Sequence, residues 1–105
     1  MIDPLTHVPV AAGPAYAEQV RELPSRFSAT LVSEDQNRFN RFAVAVLVEG
    51  KKIGYLPPEI ACHYFEPLRR APAPVECPAR RAPAAEHEDT GVDVLLDLST
   101  VAREE

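Results

Sequence analysis

Eleven prolines in a chain of 105 residues set the tightest limit on what it can fold into. Proline lacks a backbone donor and clashes with the preceding helical turn, so helices end or kink at it and central strands tend to exclude it. Here the prolines cut the apolar residues into short pieces, the longest uninterrupted run being the seven residues 42–48. That disfavours long helices and excludes a helical membrane span, which needs about 20 apolar residues. Brief strands joined by turns remain. The apolar share of 46% against 26% charged is globular rather than disordered composition. At this length one core is expected, hence a single domain over residues 1–105.

The pieces read in order. "THVPVAAG" is a short extended segment in which Pro9 suits an edge strand, and Gly13-Pro14 marks a turn. "AYAEQVREL" spaces Tyr16, Val20 and Leu23 along one face of a two-turn helix closed by Pro24. "FSATLVS" alternates as a half-buried strand does. "FAVAVLVEGKKIGYL" is two strands around Gly50, a hairpin. A helix is expected to start at Pro57-Pro58, to face the core with Ile60, Tyr64 and Leu68, and to end at Pro67 and "RRAPAP". "PVECPARR" is a short interrupted strand, residues 82–90 an acidic loop, "VDVLLDL" a last strand and "REE" a solvated tail. About six strands and two short helices predict a mainly β fold, a small OB-like barrel or curled antiparallel sheet, since closure protects edges. Val44, Val46, Ile53, Leu56, Ile60, Leu68, Val94 and Leu96 are expected to share one core.

The opening "MIDPLTHVPV" has neither a basic start nor an apolar core of signal-peptide length, which leads to the expectation of a cytoplasmic protein. Cys62 and Cys77 fit neither a disulfide framework nor a zinc spacing and are expected to be reduced thiols, with no metal or cofactor implied. Net charge is -5, yet residues 38–81 hold eight basic side chains against four acidic ones, while residues 82–105 hold seven acids and one Arg. The middle of the chain can therefore present a basic face despite the overall sign.

Enzymatic chemistry finds little support. No pair of carboxylates stands at catalytic spacing, and no glycine loop precedes a helix in the way phosphate cradles require. Cys62 and His63 are neighbours on the expected helix and point about 100° apart, which leaves the imidazole unable to activate the thiol.

What stands out is "DQNRFNRFAVAV", with Asn37, Arg38, Asn40 and Arg41 interleaved with Phe39 and Phe42 on a loop between two strands. Aromatic and basic residues on a loop beside a barrel make a platform for single-stranded nucleic acid, each stacked base contributing roughly 1–3 kcal/mol. The plainer alternative is that both phenylalanines are core residues and both arginines solvated.

The longer run "EDQNRFNRFAVAVLVEGKKIGYLPPEIA", with "VAAGPAY" before it and "GVDVLLDL" after it, resembles the HIRAN domain across nearly the whole chain. The part "VAVLVEGKKIGYLPPEIA" is the more specific. The resemblance implies an OB-like barrel that binds the 3′-hydroxyl end of single-stranded DNA without catalysis. By position it implies Tyr16 and Phe39 as stacking residues, Asn37 as a polar contact, Asn40 in place of the family's hydroxyl-reading acid and Tyr55 at the pocket border. Lys51 and Lys52 lie near the rim by hairpin geometry. Departures from the pattern are Asn40 for the acid, Arg38 for a Pro, Phe42 for an Asn, and Ala15 where DNA-binding members carry Arg. With the net charge, they motivate a second expectation, a protein-interaction scaffold that keeps the barrel without DNA-end binding.

Overall fold

The computed structural model describes residues 7–10, 16–38, 40–81 and 94–102. Phe39, Ala15, the Gly13-Pro14 turn, the acidic 82–90 loop and the "REE" tail lie outside the described residues. The elements are β1 (His7–Pro9), α1 (Ala17–Arg21), β2 (Arg26–Glu34), β3 (Ala43–Val48), β4 (Lys51–Tyr55), α2 (Pro58–Arg70), β5 (Val75–Arg81) and β6 (Val94–Asp97). They form one antiparallel sheet of order β1-β6-β5-β2-β3-β4, a curled half-barrel consistent with a small OB-like fold. Short β1, ending in Pro9, occupies one edge, as a strand with a missing donor must.

Alternation sets the core. Ala29 and Leu31 of β2, Val44 and Val46 of β3 and Ile53 of β4 are buried together. Against them α2 lays Ile60, Ala61, Tyr64, Phe65 and Leu68. Val8, Val94 and Leu96 complete the cluster from the other side, and all eight residues expected in the core belong to it. The helix α1 is shorter than its apolar spacing predicts: Val20 is buried, Leu23 packs beyond the helix end, and Tyr16 is the half-buried N-cap.

Prolines shape three junctions. The Pro57 carbonyl accepts from the Ile60 and Ala61 amides at 2.9 and 2.8 Å, and Pro58 occupies the first turn of α2, where its missing donor costs nothing. Of the two signals expected to end this helix, Pro67 does not and the "RRAPAP" run does: the helix passes Pro67 and stops at Arg70. Its end is set by Ala71, whose ψ of 136° is the extended geometry that a following proline, Pro72, imposes. In β5, Pro78 interrupts one side only. Residues 75–80 of β5 pair with β2, whereas among the described residues β6 pairs with Ala79, Arg80 and Arg81.

The hairpin joining β3 to β4 turns at Glu49 and Gly50, both with positive φ (51° and 81°), the combination of a two-residue turn matched to the sheet twist. Farther along, the register slips: Leu47 faces Lys52 but Val46 faces Gly54, so Ile53 is an extra residue in β4. Cys62 is exposed and Cys77 buried, and both are free thiols. Among the described residues, no helix is long and apolar enough to cross a membrane.

Candidate functional site

The Ile53 bulge has a direct effect on side-chain direction. In a regular strand, Lys52 and Tyr55 would point to opposite faces. With one residue inserted between them, Lys52 pairs with Leu47 and Tyr55 with Ala45, so both share the face of Ala43, Ala45 and Leu47. Glu34, the partner of Ala43, arrives on that face from β2. The two flanking strands lie about 9.6 Å apart, two strand spacings, and long side chains span the gap. Lys52 Nζ donates to Glu34 Oε2 at 2.5 Å and to the Tyr55 hydroxyl at 2.9 Å, and that hydroxyl donates to Glu34 Oε1 at 2.9 Å. Ala43 and Ala45 lie on the strand between and are only 3% and 1% exposed.

The 35–42 loop hangs from this network. Asn37 Nδ2 donates to Glu34 Oε1 at 3.1 Å, and the Asn37 amide donates to the Glu34 carbonyl at 3.3 Å. Asn37 Oδ1 then accepts from the Asn40 amide at 3.0 Å, and Asn40 Oδ1 from the Phe42 amide at 2.9 Å. Each Asn thus uses its carbonyl to hold the turn, the local bonding that makes asparagine a loop residue. The consequence for recognition is specific. The Asn40 acceptor is occupied, while its Nδ2 has no partner among the described residues. Asn40 itself is half-buried.

Phe42 is 41% exposed and is not a core residue. Its ring rests edge-on against Phe65 of α2, centroids 5.5 Å apart and planes at 79°, and the Arg41 guanidinium lies 5.5 Å from its centroid. The guanidinium lies over the ring, a cation–π contact on a partly exposed aromatic.

The expected site residues therefore divide. Asn37, Asn40, Lys52 and Tyr55 are joined through Glu34, Arg41 joins Phe42, and Arg38 is exposed on the same loop. Lys51 is exposed beside the hairpin turn, and Tyr16, at the start of α1, makes neither a ring contact nor a hydrogen bond with the others. Sequence reading overlooked Glu34 and underused Phe42. A Glu at a strand end is ordinary, and only the bulge reveals its partners.

Charge in the network is shared closely. Burial opposes ionisation of Glu34, but hydrogen bonds from Lys52, Asn37 and Tyr55 with the Lys52 charge outweigh it and hold the carboxyl below its ordinary value. The bond to Glu34 raises the Lys52 ammonium, whose charge is thus committed. For Tyr55 the Lys52 bond favours the phenolate, yet burial and Glu34 together raise the hydroxyl. Burial, with the Asp97 charge second, pushes the Cys77 thiol up to about 12, which leaves it without nucleophilic character near neutrality.

A pH dependence follows. With its folded value depressed, Glu34 contributes stability above the ordinary value of 4.5 and loses it as pH falls through the folded value. In urea titrations Glu34→Gln should cost about 0.5–1.5 kcal/mol at pH 7, the range of a partly solvated bonded charge. The difference from the parent should shrink steadily below about pH 4.5. A gap that stays constant down to pH 3 would remove Glu34 from this role.

Among the described residues, no three His, Cys, Asp or Glu converge as a metal site. Comparison of the chain with family models, with curated proteins and with solved structures found no match.

Proposed function

We propose that the chain is a cytoplasmic, non-enzymatic module that binds single-stranded DNA through the 35–42 loop. The observation that carries this reading is the partly exposed Phe42 ring with the Arg41 guanidinium over it, an aromatic and a cation together at the surface, the pairing that single-strand platforms use. Resemblance to the HIRAN domain points to the same loop. The donor left open on Asn40 favours phosphate or base oxygens over a 3′-hydroxyl proton, so strand binding here is indifferent to the terminus.

Labelled single strands with free and blocked 3′ ends test this directly. The parent should bind both within about twofold, with a salt slope of about 0.7 for each phosphate neutralised. Asn40→Asp keeps an acceptor for the Phe42 amide and replaces the open donor with a carboxylate oxygen. Preference for the free end should then rise roughly 10–150-fold, the effect of one charge-assisted hydrogen bond of about 1.5–3 kcal/mol. Total affinity should fall, because the new charge faces phosphates. Failure to bind at low salt would defeat the proposal, and an unchanged end ratio in Asn40→Asp would remove Asn40 from the contact.

One observation favours the protein-interaction alternative. Lys52 pairs with Glu34, and Arg69 and Arg70 lie against Glu66, so much of the basic middle is neutralised within the fold. Affinity for single strands that is insensitive to salt would support that scaffold.

A further inference from the structure

Lys52 and Tyr55 are joined to the 35–42 loop, yet they sit on the opposite face of the sheet from its aromatic. Phe42 rests on Phe65 of α2, and Ser33 Oγ donates to the Phe65 carbonyl at 2.8 Å, so Ser33 and Phe42 belong to the helix side. Glu34 follows Ser33 in β2 and points the other way. It shares that other face with Ala43, Lys52 and Tyr55. A base stacked on Phe42 would lie on the helix side, away from these three polar groups.

Their bonding is also spent on one another. The Lys52 ammonium donates to Glu34 and to the Tyr55 hydroxyl, and it lies over the Tyr55 ring, 4.9 Å from the centroid, so one ring face is taken. Both oxygens of the Glu34 carboxylate are engaged, Oε2 by Lys52 and Oε1 by Tyr55 and Asn37. From Asn37 the path continues to the Asn40 amide and then to the Phe42 amide. Two backbone bonds turn the chain, from the Asn37 amide to the Glu34 carbonyl at 3.3 Å and from the Ala43 amide to the Asn40 carbonyl at 3.1 Å. The side-chain path through Glu34 ties that turn to β4.

We propose that Glu34, Lys52 and Tyr55 are positioning residues: from one face of the sheet they fix the loop that presents Phe42 and Arg41 on the other, and they do not touch the bound strand. The inference rests on the strand-binding reading of the loop and takes Lys52 and Tyr55 out of its contact surface. Preorganisation is the physical gain, because a loop already held in its bound placement loses less freedom when a strand arrives.

Two variants of the full chain separate positioning from contact, read by titration of a labelled single strand at several salt concentrations. Tyr55→Phe keeps the ring and removes only the hydroxyl bonds. A stacking Tyr55 would leave affinity as it was, whereas a positioning Tyr55 should weaken binding roughly 2–12-fold, the cost of ordering one freed side chain at binding. Glu34→Ala with Lys52→Met removes the anchor and both charges together, so the local charge balance is kept. It should weaken binding at least as much while the salt slope stays that of the parent. A Lys52 that neutralises a phosphate would instead lower the slope by about 0.7. Backbone order parameters of the isotope-labelled, strand-free protein supply a readout without DNA. At the Asn40 and Phe42 amides they should be about 0.85 in the parent and below about 0.6 in the double variant, with Ala45 and Val46 of β3 unchanged. Intact affinity in Tyr55→Phe, a slope lowered by about 0.7, or Asn40 and Phe42 amides already mobile in the parent would each overturn the proposal. If the parent binds no single strand, the strand-binding reading fails, while the order parameters still decide whether Glu34, Lys52 and Tyr55 hold the loop. The parent measurement needs no substitution, so a variant that misfolds does not shield the proposal.

Discussion

Tyr64→Ala should lower the unfolding free energy by about 3–5 kcal/mol, the usual cost of truncating a large buried ring to a methyl group. Tyr64 heads the fully buried side chains by volume and lies on the face of α2 that carries Ile60 and Leu68. That face is what α2 sets against β2 and β3, so the cavity would open between helix and sheet, where neither side can collapse without moving an element. A domain of this kind has only about 5–15 kcal/mol in total, and the variant should be partly unfolded at modest temperature. Tyr64→Phe, which keeps the ring, should retain most of the stability. Urea titrations read both. A Tyr64→Ala midpoint no lower than that of Arg70→Ala, a change on the exposed face, would mean that α2 is not packed as described.

The second large effect is on binding. Replacing Phe42 by leucine should weaken single-strand affinity by about 1–3 kcal/mol, roughly 5- to 150-fold, because leucine has no π-face for a base. Leucine keeps an apolar contact with Phe65, so the change in stability should stay near the about 0.5–1.5 kcal/mol that an edge-on aromatic pair adds. Anisotropy of a labelled strand and a urea titration separate the two quantities. If affinity holds while stability falls, Phe42 is a packing residue only, and the interaction-scaffold alternative takes its place.

Core positions were legible because alternation and helical spacing are local rules. Val44 and Val46, Ile60 and Leu68 could be assigned from their neighbours alone, and they meet in one cluster. The site was less legible for two physical reasons. Lys52 and Tyr55 are three residues apart, which strand alternation sends to opposite faces, and only the inserted Ile53 reunites them over Ala45 with Glu34. Phe42 opens an unbroken apolar run, so sequence cannot say where burial begins. The Asn40 bond to its amide holds Phe42 in the loop, and burial starts one residue later at Ala43. Of the two expected stops of α2, Pro67 sits in the last helical turn without ending it, and the extended geometry before Pro72, within the expected "RRAPAP" run, sets the end.

Pro78 has a bearing on the order in which the molecule comes apart. Among the described residues, β6 joins β5 through three residue pairs, while β2 joins β3 through five and β5 through six. β1, in turn, pairs among the described residues with β6 alone. A proline in the middle of a strand therefore marks a seam, with β1 and β6 as a small leaf on one side and β5, β2, β3 and β4 as the main body on the other. Thermal fluctuations open a protein along its weakest cooperative boundary. The leaf carries Val8, Val94 and Leu96, so each such opening would bring core side chains briefly to solvent without unravelling the strands that hold the 35–42 loop in place.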